Sequence, residues 1–176
     1  VIAEHPDHKV IITSHSYLYS NGNLTNNGIG HEPSADNPDA VDGYQLWDML
    51  VRKHKNIIMY VSGHELSDDV IMSQVKGDNG NTITQLLVNP QQVNARMGTG
   101  IISMLYFSNN GNDVRFESIN TSNDTYFKQI NQFNFKINAE TTASNNEYQG
   151  ESVVPEGKGT EADPYIIKEA GNIRWM

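Results

Sequence analysis

Two histidines share a setting that suits metal chemistry. His15 follows the apolar run Val10-Ile11-Ile12-Thr13, and His64 follows Ile57-Ile58-Met59-Tyr60-Val61. Each run reads as a buried strand, and each ends in a short polar turn, Ser14-His15-Ser16 and Ser62-Gly63-His64-Glu65. Parallel neighbouring strands joined through a helix bring both turns to one edge of a sheet, where functional groups gather in α/β folds. Two neutral imidazoles side by side are good ligands for a divalent first-row metal. The competing reading is a pair of polar turn residues satisfied by backbone hydrogen bonds. The repeated placement is what raises the metal reading to parity.

The other chemistry-bearing residues are weaker candidates. His5 and His8 flank a turn at Pro6-Asp7, where solvation is the default. His54 lies between Lys53 and Lys55, an environment that disfavours a cation, and His31 sits in a long loop. Asp36, Asp39 and Asp42 lack the spacing of an EF-hand and read as a solvated acidic loop. Asp68 and Asp69 offer carboxylates near His64, with solvation at a strand edge the favoured reading. Ser14 and Ser16 beside His15 make no triad, because adjacent strand residues point to opposite faces. No Gly-x-Ser-x-Gly elbow, phosphate-binding loop or dinucleotide fingerprint occurs.

The elements that must hold the two histidines follow from pattern. Residues 1–9 read as the end of a helix and a turn. From Asp42, a plausible N-cap, the spacing of Tyr44, Leu46, Trp47, Leu50 and Val51 predicts an amphipathic helix between the two strands. Residues 20–41 show hardly any periodicity, which marks a functional loop. After residue 68 the chain turns β-rich. Strands are expected at Val70-Ile71-Met72, 82–88, 100–107 and 114–119, with turns at Asp78-Asn79-Gly80-Asn81 and Asn109-Asn110-Gly111-Asn112. Residues 139–158 have linker composition, and Asp163-Pro164-Tyr165-Ile166-Ile167 reads as a short strand.

Composition narrows the partners. The chain has 176 residues, a formal charge of −9, 37% hydrophobic residues and no cysteine. That length holds one domain and some extra. The negative charge and the lack of a basic cluster argue against a nucleic-acid surface. Without cysteine there are no disulfides or thiolate ligands, so a metal must take His, Asp, Asn, Glu or water. No apolar run approaches the roughly 20 residues of a membrane span, and the start at Val1 reads as mid-element, with sequence upstream.

In order along the chain, KVIITSHSYLYSNG, GYQLWDMLVRKHKNIIMYVSGHE, GNTITQLLVNPQ and GTGIISMLYFSNNGNDVRFESIN resemble the C-terminal half of bacterial secreted calcineurin-like metallophosphoesterases. The resemblance covers about residues 1–138. It implies an α/β (α+β) fold, the C-terminal half of a four-layer αββα sandwich whose two mixed sheets are flanked by helices. It also implies a pair of divalent ions (zinc, manganese or iron) acting on a phosphate-ester substrate. It places His15 at the family's lone metal-binding histidine and His64 at the first histidine of Gly-His-x-His, both on one ion. Two departures follow. The second histidine of that motif falls on Leu66, which cannot ligate. The family's Asp-x-His, Gly-Asp-x-x-Asp and Gly-Asn-His motifs should precede His15 and are absent; Gly77-Asp78-Asn79-Gly80-Asn81 lies on the wrong side and reads as a turn.

The chain is thus expected to be a fragment, inactive alone, with no catalytic residue of its own. Half a sandwich should leave an open face, so that the chain either dimerises through it or rearranges its first strand. The tail, GKGTEADPYIIKEAGNIRWM, is similar to the start of repeat modules in bacterial surface proteins, so residues 159–176 are expected to open a following module of a secreted or cell-surface protein. The reading from a different class is a non-catalytic, β-rich surface or carbohydrate-binding module, suited by the Asn/Gly-rich loops and exposed Tyr and Trp.

Overall fold

The computed structural model describes residues 1–26, 32–92, 100–137, 153–166 and 172. The chain divides into two compact units, 1–144 and 145–176. The first is a mixed α+β fold, mostly strand, built on two sheets with little helix.

The first sheet holds β1 (Val10–Ser14), β2 (Ile57–Ser62), β3 (Ser67–Lys76) and β4 (Thr82–Asn89) in the order β1-β2-β4-β3. β1, β2 and β4 are parallel, and β3 closes the sheet antiparallel to β4. The continuous apolar run of β2 follows from its central place, buried on both faces. One irregularity shapes it: Val10 faces Ile57 while Ile11 faces Met59, so Ile58 is an extra residue on β2. Ile57 and Tyr60 accordingly face one core, and Ile58 and Met59 the other.

The crossover from β1 to β2 carries a short α1 (Pro33–Asp36) and α2 (Gly43–Met49), followed by a 3-10 turn at Val51–Lys53. Asp42 does cap α2, through a capping box in which Gln45 accepts the Asp42 N–H at 2.9 Å. Leu46, Trp47 and Val51 pack on the first core with Tyr17, Leu18, Tyr60, Ile83 and Leu87. Tyr44, expected on that face, is 55% exposed. The helix stops at Met49, and the tighter turn that follows takes Val51 out of phase with Tyr44. At the N-terminus a single 3-10 turn, Ile2–Glu4, replaces the expected helix end.

The second sheet centres on β6 (Asp113–Asn120), with β5 (Ile101–Phe107) on one side and β7 (Thr125–Tyr126) and β8 (Gln132–Lys136) on the other, all antiparallel. β7 and β8 were not legible in the sequence, and β3 is much longer than the three apolar residues that signalled it. Val114, Phe116, Phe135 and Ile137 pack against Ile58, Met59 and Leu86, joining the sheets face to face. Polar ties fix their relation. Asn131 accepts the Val70 N–H (2.8 Å) and donates to the Asp68 carbonyl (2.8 Å). Gln74 donates to the Lys136 carbonyl (2.8 Å), and Lys9 to that of Gly111 (2.9 Å).

In the second unit, single bridges join Glu156 to Ile166 and Thr160 to Asp163. Of the expected strand at 163–167, Ile166 is paired only by such a bridge, and Ile167 lies outside the described residues. So do His31, most of the linker segment (139–152) and the apolar pair Ile173 and Trp175.

Candidate functional site

Parallel pairing sets the geometry. Ser14 is opposite Ser62, and the Gly63 N–H donates to the His15 carbonyl at 3.0 Å, one step beyond the end of the strands. Both histidines therefore leave the sheet at the same edge. His64 Nδ1 lies 2.9 Å from His15 Nε2, and the ring centroids are 4.7 Å apart at 66°. At that distance one imidazole N–H donates to the bare nitrogen of the other.

Both turns are braced from beneath. The Tyr60 hydroxyl donates to Ser14 Oγ at 3.0 Å, which donates to the Ser16 carbonyl at 2.9 Å, straddling His15. Tyr60 is in turn held by stacking on Tyr17 at 3.7 Å, and Gln85 Nε2 donates to the Tyr17 hydroxyl at 3.0 Å. Burial raises both phenols above the ordinary tyrosine value, Tyr17 strongly, so they act as neutral hydrogen-bonding groups. His64 itself has φ +67, a left-handed conformation uncommon outside glycine. Asn89, at the end of β4, holds it there by donating Nδ2–H to the His64 carbonyl at 3.0 Å. Neither Asn89 nor the Tyr60–Ser14 relay was singled out by sequence. An asparagine closing a strand carries no signal of the loop it reaches across the sheet.

Two facing imidazole nitrogens are the type of donor a divalent first-row ion takes, two of the ligands it needs. Two nitrogens bound at about 2.0–2.1 Å stand about 2.9 Å apart at a right angle and about 3.3 Å apart at the tetrahedral angle. The observed separation equals the right-angle spacing and is shorter than the tetrahedral one; binding through both facing nitrogens would need the donor ring to carry its proton on its other nitrogen. Two imidazoles do not complete a site. Among the described residues no group of three or more His, Asp or Glu side chains converges.

The remaining candidates go elsewhere. Leu66 is 39% exposed. Asp69 pairs with Lys128 at 2.6 Å, and Asp68 lies 4.0 Å from the same ammonium, so these carboxylates tie the two sheets together. Asp42, expected to be solvated, is buried; its carboxylate accepts the Ser34 hydroxyl (2.6 Å) and N–H (3.0 Å). The cap of α2 is what draws it inward. Asp39 is exposed, and the Asp36 side chain lies outside the described residues. His5 and His8 are exposed and meet edge to face at 5.2 Å. The Gly77–Asn81 segment is the turn between β3 and β4. No described helix is long and apolar enough to cross a membrane.

No family model, curated protein or solved structure matches this chain.

Proposed function

We propose that residues 1–138 are the C-terminal half of a metal-dependent phosphoester hydrolase of the calcineurin-like kind, in which His15 and His64 hold one divalent ion. The observation that carries this reading is the 2.9 Å approach of His64 Nδ1 to His15 Nε2 at the ends of adjacent parallel strands. Two facing sheets, the first packed against the short helix α2, would be part of half a four-layer αββα sandwich. The ion, as zinc, manganese or iron, would contribute Lewis acidity and a lowered pKa for bound water. This chain's own residues bind and orient: His15 and His64 supply nitrogen, Asn89 fixes the His64 turn, and the Tyr60–Ser14 relay fixes that of His15.

Two ligands and no catalytic residue leave the chain inactive alone under this reading. Hydrolysis belongs to a parent carrying the upstream motifs, acting on a phosphate ester at a bacterial surface or in secretion. Convergence of the two imidazoles is what a metal site would need, while their mutual hydrogen bond would also serve a purely structural pair of turn residues in a surface module. Calorimetry with zinc and manganese decides between them, on the wild-type chain and on a His15→Ala, His64→Ala double variant. Saturable one-to-one binding that disappears in the variant is expected. Equal binding by both proteins, or none by the wild type, would reject the site.

A further inference from the structure

Alternation along β6 turns Val114 and Phe116 into the core between the sheets, so Arg115, Glu117 and Ile119 lie on the outer face of the second sheet. A carboxylate on such a face is ordinarily solvated, but the Glu117 side chain is only 10% exposed. Its Oε1 is engaged twice, accepting from the Arg115 guanidinium and from the Tyr126 hydroxyl, the latter at 3.2 Å. Its Oε2 takes no partner among the described residues. A carboxylate withdrawn this far from water is costly unless its hydrogen bonds are made.

Glu117 lines a cleft of about 480 Å³ together with Ile119, Asp124, Thr125 and Tyr126. β7 brings Tyr126 there by pairing it with Ile119. Asp124, in the turn between β6 and β7, is exposed, stands at φ +55 and takes no partner among the described residues. The Thr125 hydroxyl already donates to Asn123 Oδ1 at 2.8 Å. The free side-chain polar groups of the cleft are therefore carboxylate oxygens, acceptors with no free donor beside them. Its walls are Ile119 and the Tyr126 ring, which is 60% exposed.

We propose that the Glu117–Asp124–Tyr126 cleft is a binding site for an alkylammonium group, carried by a lysine side chain or by a free amine. An alkylammonium has three donors and no acceptor, a positive charge for the carboxylates and the ring face, and an apolar stem for Ile119. The ammonium donates to Glu117 Oε2 and to Asp124, and the stem lies against Ile119 and Tyr126. Calcium takes about six to eight oxygen ligands and gains nothing from an aromatic ring and an isoleucine. A neutral sugar needs donors for its own hydroxyl oxygens, and the cleft has none free. The net charge of −9 draws cations towards the chain. The site shares no residue with the His15–His64 pair and does not rest on the metal reading.

Nitrogen–proton correlation spectra of the backbone amides of the full 176-residue chain, recorded during titration with n-butylammonium chloride, test this. Saturable shifts centred on Glu117, Ile119 and Asp124 to Tyr126 are expected, and n-butanol at the same concentrations should leave those amides unmoved. Asp124→Asn keeps the side chain's shape, and asparagine also accepts the left-handed backbone. It should weaken butylammonium binding about threefold, within what an exposed ion pair contributes. Glu117→Gln removes the buried carboxylate and should weaken binding further, with the same spectrum reporting that the fold is kept. Nα-acetyl-lysine methylamide separates the two sources: tighter binding than butylammonium gives the site to a lysine side chain, weaker binding to a free amine. Equal shifts with n-butanol, tighter binding of calcium chloride at the same amides, or no saturable shift would overturn the proposal. So would wild-type affinity in either variant.

Discussion

The His64 carbonyl accepts the Asn89 side-chain N–H at 3.0 Å while the residue itself stands at φ +67. Without that donor, a left-handed histidine would relax and carry Nδ1 away from His15. Asn89→Leu keeps the side chain's size and removes the donor. It is expected to lower affinity for zinc about tenfold, within the range that supporting contacts usually contribute. Competition against a chromophoric chelator measures it, and unchanged affinity would show that His64 needs no such brace. At this scale the sequence was informative about which histidines meet and silent about what holds them. His15 and His64 each end an apolar run, a local pattern. Asn89 and Tyr60 act through strand pairing, which no local pattern contains.

Among the elements, α2 shows how a short helix is located by a contact and not by propensity. The Cβ of any other residue at Gly43 would stand 2.1 Å from the Tyr17 carbonyl oxygen and 2.9 Å from Thr25 Oγ1. The Gly43 N–H donates to that same Oγ1 at 2.7 Å, so the helix start is seated directly on the His15 loop. Gly43→Ala gains helix propensity of about 1 kcal/mol. It is nonetheless expected to destabilise the chain by about 3 kcal/mol, since backbone must move to admit the methyl group. Urea unfolding would read this, and a neutral or stabilising change would mean the seat is looser than the structure has it. β2 was legible because a buried parallel strand is written as a continuous apolar run; β1, expected to be buried as well, is an edge strand with Ile11 exposed, because nothing described pairs on its outer side. β8 was not legible, because Gln-Phe-Asn-Phe-Lys alternates within a polar stretch and owes its pairing to β6.

For the whole molecule, the mixed α+β class followed from the order strand, helix, strand and then hairpins. The face-to-face union of the sheets depends on residues far apart in sequence, such as Met59 with Phe116 and Asn131 with Val70. The central claim is that this fold brings His15 and His64 together to hold a metal. Long-range nitrogen–proton correlation spectra of the histidine rings, recorded during zinc titration, test it most directly. Of the six histidines, His15 should bind through Nε2 and His64 through Nδ1, and those two nitrogens alone should shift as zinc is added. Shifts confined to His5 and His8, or no selective shift at all, would contradict it.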